Sequence, residues 1–290
     1  MSKILNTNQH RAKKEKQDEF YTQLSDIEKE LVNYKKHFKN KTVYCNCDDP
    51  RVSNFFHYFS YNFEKLKLKK LISTCYKSQN VDLFSQNDSE KAVYLEYNGD
   101  KNNNKIPDAE EIGIKHLNDD GDFRSEESIN LLKQSDIVVT NPPFSKFREF
   151  IGQLMENKKK FIILGNKGAV GYKDIFKWIK NNKLWIGSTP MGADMLFGVP
   201  EDIEKKLTKE GKVGSRYKLV DGKVMARAPV AWFTNIDIKK RHETLLLYKK
   251  YSSHEFPKYV NYDAIEVSKT ADIPINYKGK MGVPLTFLDK

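Results

Sequence analysis

The sequence predicts an α/β fold with a mainly parallel sheet, helices on both faces and hairpin insertions. Two observations predict it. Short apolar runs alternate with helical patterns between residues 42 and 186, which is typical of parallel strands joined by helical crossovers. The dipeptides Asn98-Gly99 and Asp221-Gly222 stand between short strand-like runs and predict hairpins outside this alternation. With 290 residues, 39% of them hydrophobic, the chain is long enough for a large core.

Each element follows from a local pattern. A first helix is predicted over residues 25–39, because Ser25 and Glu28 have capping-box spacing and apolar residues follow at helical intervals. A polar insertion, residues 77–118, is expected to hold the first hairpin, formed by strand 93–97 and a short strand near Ile106. The other predicted elements are strand 42–47, helix 53–63, strand 71–76, a helix opening at Ser125, strand 136–140, helix 145–155, strand 160–164, helix 172–180, strand 184–186, hairpin 217–226 and strand 229–234.

The charge balance indicates the kind of partner. The chain has 50 Lys and Arg against 39 Asp and Glu, a formal net charge of +11, which suits a polyanion; surface solubility is the alternative. The three cysteines, Cys45, Cys47 and Cys75, form neither a disulfide framework nor a zinc pattern, so no metal is expected. Without a signal peptide or a long apolar run, the sequence predicts a cytoplasmic protein that does not contact a membrane.

The strongest chemical signal is the run Asn141-Pro142-Pro143-Phe144 after strand 136–140. It lies at the carboxyl end of a predicted strand, where open α/β sheets bind ligands. The side-chain oxygen of Asn141 and the carbonyl of Pro142 can accept hydrogen bonds from a planar amino group such as N6 of adenine, and make it a better nucleophile toward a methyl donor. The prolines keep the loop rigid, and Phe144 can stack on a base. An ordinary turn is the alternative.

Longer stretches carry a resemblance. The chain resembles the EcoRI-type adenine-specific DNA methyltransferase family over nearly all of its length. The stretches that carry this resemblance are DEFYTQ (18–23), VYCNCDDPRVSNFF (43–56), GDFRS (121–125), SDIVVTNPPFS (135–145) and MGVPLTFL (281–288). The resemblance implies a Rossmann-like methyltransferase fold, S-adenosylmethionine as cofactor and double-stranded DNA as partner. It also implies methyl transfer to N6 of a flipped adenine, by the modification enzyme of a restriction-modification system. The enzyme is expected to be a monomer, with a cognate restriction endonuclease as a functional rather than a physical partner.

On this resemblance, each site residue receives an expected role. The catalytic residues are Asn141, Pro142, Pro143 and Phe144. The cofactor-binding residues are Tyr21, Thr22, Cys45 and Asn46 (through their backbone), Asp48, Asp49, Asp122 and Phe123. Asp122 is expected to accept a hydrogen bond from the adenine amino group of the donor; the alternative is a helix N-cap region for Asp122 and a core position for Phe123. Likewise, Tyr21 can be a staple before the first helix, and Asp48 or Asp49 a turn residue.

The chain departs from the broader methyltransferase pattern in three places. Gln23 stands where a proline is usual, and residues 44–50 contain no glycine, although donor loops usually need one where the backbone approaches the ligand. No acidic residue follows strand 71–76 to bind the ribose. These departures leave open a DNA-binding module with a degenerate cofactor site, and the amino-group chemistry leaves open a protein-glutamine or cytosine-N4 methyltransferase.

Three parts of the chain are expected. Residues 1–16 form a basic N-terminal arm, and residues 17–250 form the S-adenosylmethionine-dependent methyltransferase domain with the insertion 77–118. Residues 251–290 form a C-terminal extension that contributes to DNA recognition. Because the MGVPLTFL segment is followed by more protein in the family, this extension is expected to be truncated.

Overall fold

The computed structural model describes residues 21–47, 53–75, 92–104, 107, 111–193, 195–199 and 217–289. In this part of the chain the strands are β1 (Tyr21–Thr22), β2 (Thr42–Asn46), β3 (Lys70–Thr74), β4 (Val93–Tyr97), β5 (Gly113–His116), β6 (Ile137–Thr140), β7 (Lys160–Asn166), β8 (Trp185–Ile186), β9 (Met195–Gly198), β10 (Tyr217–Val220), β11 (Lys223–Ala228), β12 (Val230–Thr234), β13 (Ile265–Glu266) and β14 (Met281–Gly282).

The α-helices of the same residues are α1 (Leu24–Leu31), α2 (Lys35–Phe38), α3 (Asn54–Tyr61), α4 (Phe63–Leu66), α5 (Glu126–Gln134), α6 (Phe147–Glu156) and α7 (Lys173–Lys180). Short 3-10 helices lie at Val32–Tyr34, Phe144–Lys146, Lys167–Gly171, Lys239–His242, Thr270–Asp272 and Leu285–Asp289. None of the described helices has the length and apolar character needed to cross a bilayer.

An eight-stranded sheet forms the centre, in the order β5-β4-β3-β2-β6-β7-β12-β8. Strands β3, β2, β6 and β7 are parallel neighbours, while β4, β5 and β12 run antiparallel to their partners. The chain therefore passes from β2 to β3 on one side and later returns to β6 on the other. This reversal makes the carboxyl ends of β2 and β6 the switch point, the place where sheets of this kind bind ligands.

Helices cover both faces of this sheet, because side chains of successive strand residues point to opposite faces. Val43 and Cys45 of β2 belong to one buried cluster, packed with α1, α3 and α4. Tyr44 of the same strand belongs to the other, packed with α5, α6 and α7. Each fully buried Leu or Phe in these clusters contributes about 1.5–3 kcal/mol. The predicted mainly parallel sheet with helices on both faces is confirmed.

A second, smaller sheet has the order β1-β9-β11-β10, with all pairs antiparallel. The predicted hairpin is confirmed here: Val220 pairs with Lys223 across Asp221-Gly222, both of which have positive φ (49° and 78°). This turn conformation suits the twist of a hairpin. Because β11 continues through residue 229 into β12, the small sheet is joined to the carboxyl-end side of the large one.

Two local predictions are wrong. Ser25 does not begin a capping box: α1 starts at Leu24 after Gln23, whose side chain makes no capping bond, and a 3-10 turn separates α1 from α2. The partner of β4 is β5, not a strand near Ile106, which lies outside the described residues. Residues 98–112 separate β4 from β5, which is longer than a hairpin turn, and Glu111 in this connection accepts hydrogen bonds from the backbone of Lys101 and Asn102.

The C-terminal residues 243–289 contain little regular structure and have their own small apolar cluster around Phe256, Ile265, Val267 and Ile273. They reach the large sheet at their end, where Leu288 packs on the second cluster and Asp289 accepts a hydrogen bond from the backbone of Met191 (2.8 Å). The three-part division of the chain stays a prediction, and the basic arm 1–16 lies outside the described residues.

Candidate active site at the carboxyl edge of the sheet

The ends of β2 and β6 form a crevice. Their ladder includes only the pairs Val43 with Ile137 and Tyr44 with Val138, so the last residues of the two strands are not paired by their backbones. Instead, the hydroxyl of Thr140 donates a hydrogen bond to the carbonyl of Asn46. This side-chain bridge links the strand that ends at Asn46 to the strand that leads directly into Asn141.

Residues 141–144, the NPPF loop, follow β6 as predicted. Pro142 is buried, and Asn141, Pro143 and Phe144 are half-buried. The carbonyl of Pro143 accepts a hydrogen bond from the backbone of Lys146 (3.0 Å), which closes the 3-10 helix before α6. Phe144 packs against the first buried cluster. The predicted helix 145–155 is therefore present as a 3-10 turn followed by α6.

Gly121 brings Asp122 to the same edge. Gly121 has a φ of +71°, and a Cβ there would lie 2.4 Å from the carbonyl oxygen of Cys75, directly after β3. Only glycine fits this close approach without strain. Since β3 neighbours β2 and β2 neighbours β6, Asp122 and the NPPF loop flank the end of β2 from opposite sides.

The Asp122 carboxylate has a cationic partner that sequence reasoning missed. Arg124 donates to it from Nε (2.8 Å), Nη2 (2.7 Å) and its backbone nitrogen (2.9 Å). Lys146, just after the NPPF loop, lies 3.6 Å from Oδ2. Burial raises the pKa of Asp122, but the hydrogen bonds and charge of Arg124 and the charge of Lys146 together lower it below its ordinary value. Asp122 therefore carries a negative charge at neutral pH.

Phe123 has a core position. It is buried, and its ring meets that of Phe150 edge to face at 5.1 Å, with the Arg124 guanidinium 5.4 Å from its centre. Its carbonyl accepts a hydrogen bond from Gln153 (2.9 Å). The structure thus holds the segment 121–123 firmly between the end of β3 and α6.

Tyr21 and Thr22 form β1 of the small sheet, where Thr22 pairs with Phe197. The carbonyl of Thr22 accepts a hydrogen bond from the side chain of Asn54 (2.7 Å) at the start of α3. Because α3 is the helix that follows β2, this bond brings β1 to the crevice side of the molecule. The sequence carried no signal for this contact.

At the end of β2, the backbone adopts a positive φ at a residue other than glycine. Cys45 is buried in the first cluster and its carbonyl accepts a hydrogen bond from Ser73 (3.0 Å), while Cys47 has a positive φ of 73°. Asp48 and Asp49 lie outside the described residues. In the described part of the chain, no group of His, Cys, Asp and Glu is arranged to hold a metal ion.

Within the part of the chain that the structure describes, two buried polar atoms lack a hydrogen-bond partner near this edge: Oδ1 of Asn46 at the end of β2 and Oγ1 of Thr22 on β1. Such atoms are costly in a folded protein unless a ligand or water satisfies them. Together with the acidic Asp122 and the crevice at the switch point, they fit a polar ligand with hydrogen-bond donors, which agrees with the expected cofactor.

Comparison with known proteins decides the family. The family described as adenine-specific methyltransferase EcoRI matches residues 8–290. The chain belongs to this family. Type II methyltransferase M.EcoRI of Escherichia coli is 49% identical over 97% of this chain and 85% of its own length. M.MgeORF184P of Mycoplasma genitalium and M.MpnI of Mycoplasma pneumoniae, both type II methyltransferases, are each 41% identical over 97% of this chain and 81% of their own lengths. No solved structure matches the chain.

Family membership confirms the resemblance, the Rossmann-like methyltransferase fold and the enzyme class. The predicted activity, a DNA adenine methyltransferase of a restriction-modification system, is likewise confirmed by the family and its type II relatives. The cytosine and glutamine alternatives therefore fall. Methyltransferases of this kind generally use S-adenosylmethionine.

Proposed function

We propose that this enzyme transfers a methyl group from S-adenosylmethionine to N6 of an adenine flipped out of double-stranded DNA, and that the reaction takes place at the crevice between β2 and β6. One observation supports this most: Asn46, Asn141 and Asp122 follow or adjoin three neighbouring parallel strands at one edge of the sheet. A polar donor site and an amino-binding loop are therefore adjacent.

Residues on both sides of β2 would hold the cofactor. Asp122 would accept a hydrogen bond from the adenine amino group, since a carboxylate has about four acceptor positions and Arg124 leaves room for another donor. Asn46, Thr22 and Tyr21 would contact the rest of the molecule, with Cys45, Asp48, Asp49 and Phe123 as the remaining expected neighbours. When bound, S-adenosylmethionine supplies an electrophilic methyl group on a positively charged sulfur.

The NPPF loop acts on the nucleophile. Asn141 Oδ1 and the Pro142 carbonyl would accept the two hydrogens of N6, which concentrates its lone pair and stabilises the transition state more than the ground state. The Pro143 carbonyl is bonded to Lys146 and is not assigned this role. Phe144 would stack on the flipped base, an interaction worth about 1–3 kcal/mol. This offsets part of the few kcal/mol that unstacking costs.

The mode of DNA binding, the cellular location and the partners complete the proposal. The net charge of +11 supports electrostatic binding of the DNA backbone. We place the enzyme in the cytoplasm as a monomer without membrane contact, and we assign a cognate restriction endonuclease as a partner in function only.

The test uses purified full-length enzyme, labelled S-adenosylmethionine and unmethylated duplex DNA of broad sequence content, with nucleosides analysed for N6-methyladenine. We expect Asn141→Ala to lower kcat about 10²–10³-fold, the usual cost of removing one preorganised contact to the transition state. Its donor affinity should change less than twofold. Asn130→Ala, on the exposed side of α5, is the matched control and should keep full activity.

Two results would overturn the proposal. One is wild-type enzyme that leaves no N6-methyladenine in any DNA tested. The other is an Asn141→Ala variant that keeps more than a tenth of wild-type kcat, since the amino group would then be held by other residues.

A further inference from the structure

The edge of the large sheet opposite the crevice is rich in lysine. This amino edge holds the amino ends of β2, β3, β6, β7 and β8 and the carboxyl end of β12, because β12 is antiparallel to both of its neighbours. Five of the chain segments found here are the last turn of a helix with the residues up to the next strand, and a sixth follows β12. The six segments are 35–41, 63–70, 131–136, 153–160, 177–185 and 235–242.

Hydrogen bonds and ion pairs join these segments into one surface. The backbone nitrogen of Lys69 donates to the carbonyl of Lys41 (2.9 Å), and the ammonium of Lys41 lies 3.4 Å from a carboxylate oxygen of Asp136. On the other side of β6, the side chain of Asn235 donates to the carbonyl of Lys159 (2.7 Å). The charges of the six segments therefore act together.

The amino edge holds the positive charge of the whole chain. The six segments contain 18 Lys and Arg but only four Asp and Glu, an excess of 14, whereas the chain as a whole has an excess of 11. The remaining residues taken together are therefore slightly acidic. At one end of the edge the basic surface stops, because the connection from β4 to β5 brings the acidic Asp100 and Glu111 there.

Helix ends explain only part of this excess. Lysines near a helix C-terminus interact favourably with its partial negative charge of about half an elementary charge, but the effect falls off within the last turn. Lys69, Lys158 and Lys239 lie outside the α-helices, are exposed and form no ion pair within the described part of the chain. The Arg241 guanidinium is held 3.8 Å from the centre of the Trp185 ring. Crowded like charges repel one another, so the arrangement suits an anion better than it suits stability.

We propose that the amino edge is a second DNA-binding surface, which holds the phosphate backbone of a duplex other than the one whose adenine enters the crevice. DNA is the polyanion on which this family of enzymes acts. Lysine contacts to phosphates position a duplex without reading its bases, so binding at this surface should not depend on sequence. The inference uses the proposed function only to place the catalytic duplex.

The two surfaces are too far apart for one duplex. Strand β7 has seven residues, so at about 3.3 Å per residue the crevice and the amino edge lie about 20 Å apart, at opposite ends of the sheet. Duplex DNA is stiff over lengths of about 150 bp. A short duplex with its adenine in the crevice therefore cannot bend round to the amino edge, and two duplexes are needed to fill both surfaces.

Lysine acetylation tests this surface on the wild-type enzyme. Sulfosuccinimidyl acetate is added with and without an excess of duplexes of about 12 bp and mixed sequence, at about 50 mM salt, where phosphate contacts are strong. Mass spectrometry then locates the acetylated lysines. We expect bound phosphates to slow acetylation of Lys69, Lys158 and Lys239 about fivefold or more. Acetylation of Lys115, an exposed lysine of β5, should change less than about twofold, because it lies beside the carboxyl end of β3.

A charge-removal variant gives a second readout. Wild-type enzyme should bind two short duplexes at saturation, counted by sedimentation with labelled DNA. The combined variant Lys69→Gln, Lys158→Gln and Lys239→Gln should bind the second duplex about tenfold more weakly or worse, and the salt slope of that step should fall by about 2.7, or about 0.9 for each lost phosphate contact. Its melting temperature should stay the same or rise, because repulsion between lysines is relieved.

The matched control removes the same charge from the other side of the molecule. Lys115→Gln, Lys218→Gln and Lys223→Gln combined change three exposed strand residues on β5, β10 and β11. This control should leave the affinity and the salt slope of the second duplex unchanged. The amino-edge variant should also keep its kcat for formation of N6-methyladenine within about twofold, since none of its three residues lies at the crevice.

Each contrary outcome has a distinct meaning. Unchanged acetylation of all three amino-edge lysines, a single duplex per wild-type enzyme at saturation, or equal weakening of the second duplex by both variants would each overturn the second surface and leave the proposed function standing. Protection of these lysines by RNA but not by duplex DNA would also overturn it. Wild-type enzyme that forms no N6-methyladenine would overturn the proposed function, while the acetylation pattern would still decide whether the amino edge binds DNA.

Discussion

Removal of the Glu30 carboxylate is expected to cause a large loss of stability. Its carboxylate is fully buried and accepts four hydrogen bonds: from the Tyr34 hydroxyl (2.7 Å), the Ser188 backbone (2.7 Å), and the backbone (2.7 Å) and hydroxyl (2.6 Å) of Thr189. Glu30→Ala removes the carboxylate to which all four groups donate. At about 1 kcal/mol or more for each, the expected loss is about 4 kcal/mol. At about 2–4 °C for each kcal/mol, the melting temperature should fall by about 8–16 °C.

Glu30→Gln divides this loss. An amide has one accepting oxygen, and its NH₂ group would face two donors, so about half of the loss, roughly 2 kcal/mol, is expected. The loss of these hydrogen bonds should also loosen the loop near the candidate active site. The loop that Glu30 holds runs on to Ala193, whose carbonyl accepts a hydrogen bond from Lys167 (3.3 Å) at the end of β7.

Urea unfolding of the two variants is the assay, with Glu28→Ala as the matched control, because Glu28 lies on the same helix but is exposed. The control should lie within about 0.5 kcal/mol of wild type. The reasoning would be refuted if Glu30→Ala lowered the free energy of unfolding by less than about 1 kcal/mol, or if the control lowered it equally. The four hydrogen bonds to Glu30 would then be no more stabilising than the hydrogen bonds that the same groups make with water in the unfolded chain.

Three further changes have definite expectations. Gly121→Ala should lower the free energy of unfolding in urea by about 2–4 kcal/mol and weaken donor binding, because its Cβ would meet a backbone carbonyl and its φ is positive. Gly171→Ala is the control and should leave stability unchanged, since a Cβ there would have open space around it. Burial raises the pKa of Glu96, but hydrogen bonds from Lys70 and a neighbouring tyrosine lower it to about 2. Because the folded-state pKa is lowered, the ionised carboxylate stabilises the fold above pH 4.5, and this contribution is lost as pH falls toward 2. The difference in free energy of unfolding between wild type and Glu96→Gln should therefore close over that range. Cys47→Gly should lie within about 1 kcal/mol of wild type in urea unfolding, because glycine adopts positive φ without strain, and Cys47→Val should lose about 1–2 kcal/mol, because a β-branched side chain tolerates positive φ less well than cysteine.

Much of the central sheet can be predicted from local patterns because its parallel strands are buried on both sides. Such strands are short continuous apolar runs that end in turn residues, as in the run before Asn141. The Asp221-Gly222 turn is also a local signal, since the backbone conformation it adopts depends on these two residues. These elements were predicted to within a few residues of their observed ends.

The other two strands of the small sheet, β1 and β9, could not be predicted in the same way. Strand β1 has only two residues, and its partner β9 lies far along the chain, so no local periodicity marks either of them. The same reason explains the missed partners in the site. Arg124 is close in sequence to Asp122, but the bonds from Asn54 to Thr22 and from Thr140 to Asn46 join residues 32 and 94 positions apart. A single sequence contains no record of such pairings.

The missing glycine of the donor loop shows what a motif stands for physically. The sequence departs from the usual pattern at residues 44–50, and that departure left a degenerate cofactor site open as an alternative. The structure has Cys47 at a φ of 73°, the conformation for which glycine is normally used, so the backbone turns there without glycine. Such a residue costs about 1–2 kcal/mol and persists only where its surroundings hold it. The bonds from Ser73 to the Cys45 carbonyl and from Thr140 to the Asn46 carbonyl fix the two residues before it. At position 47 the turn depends on the backbone conformation rather than on the identity of the residue, and the neighbouring hydrogen bonds hold that conformation.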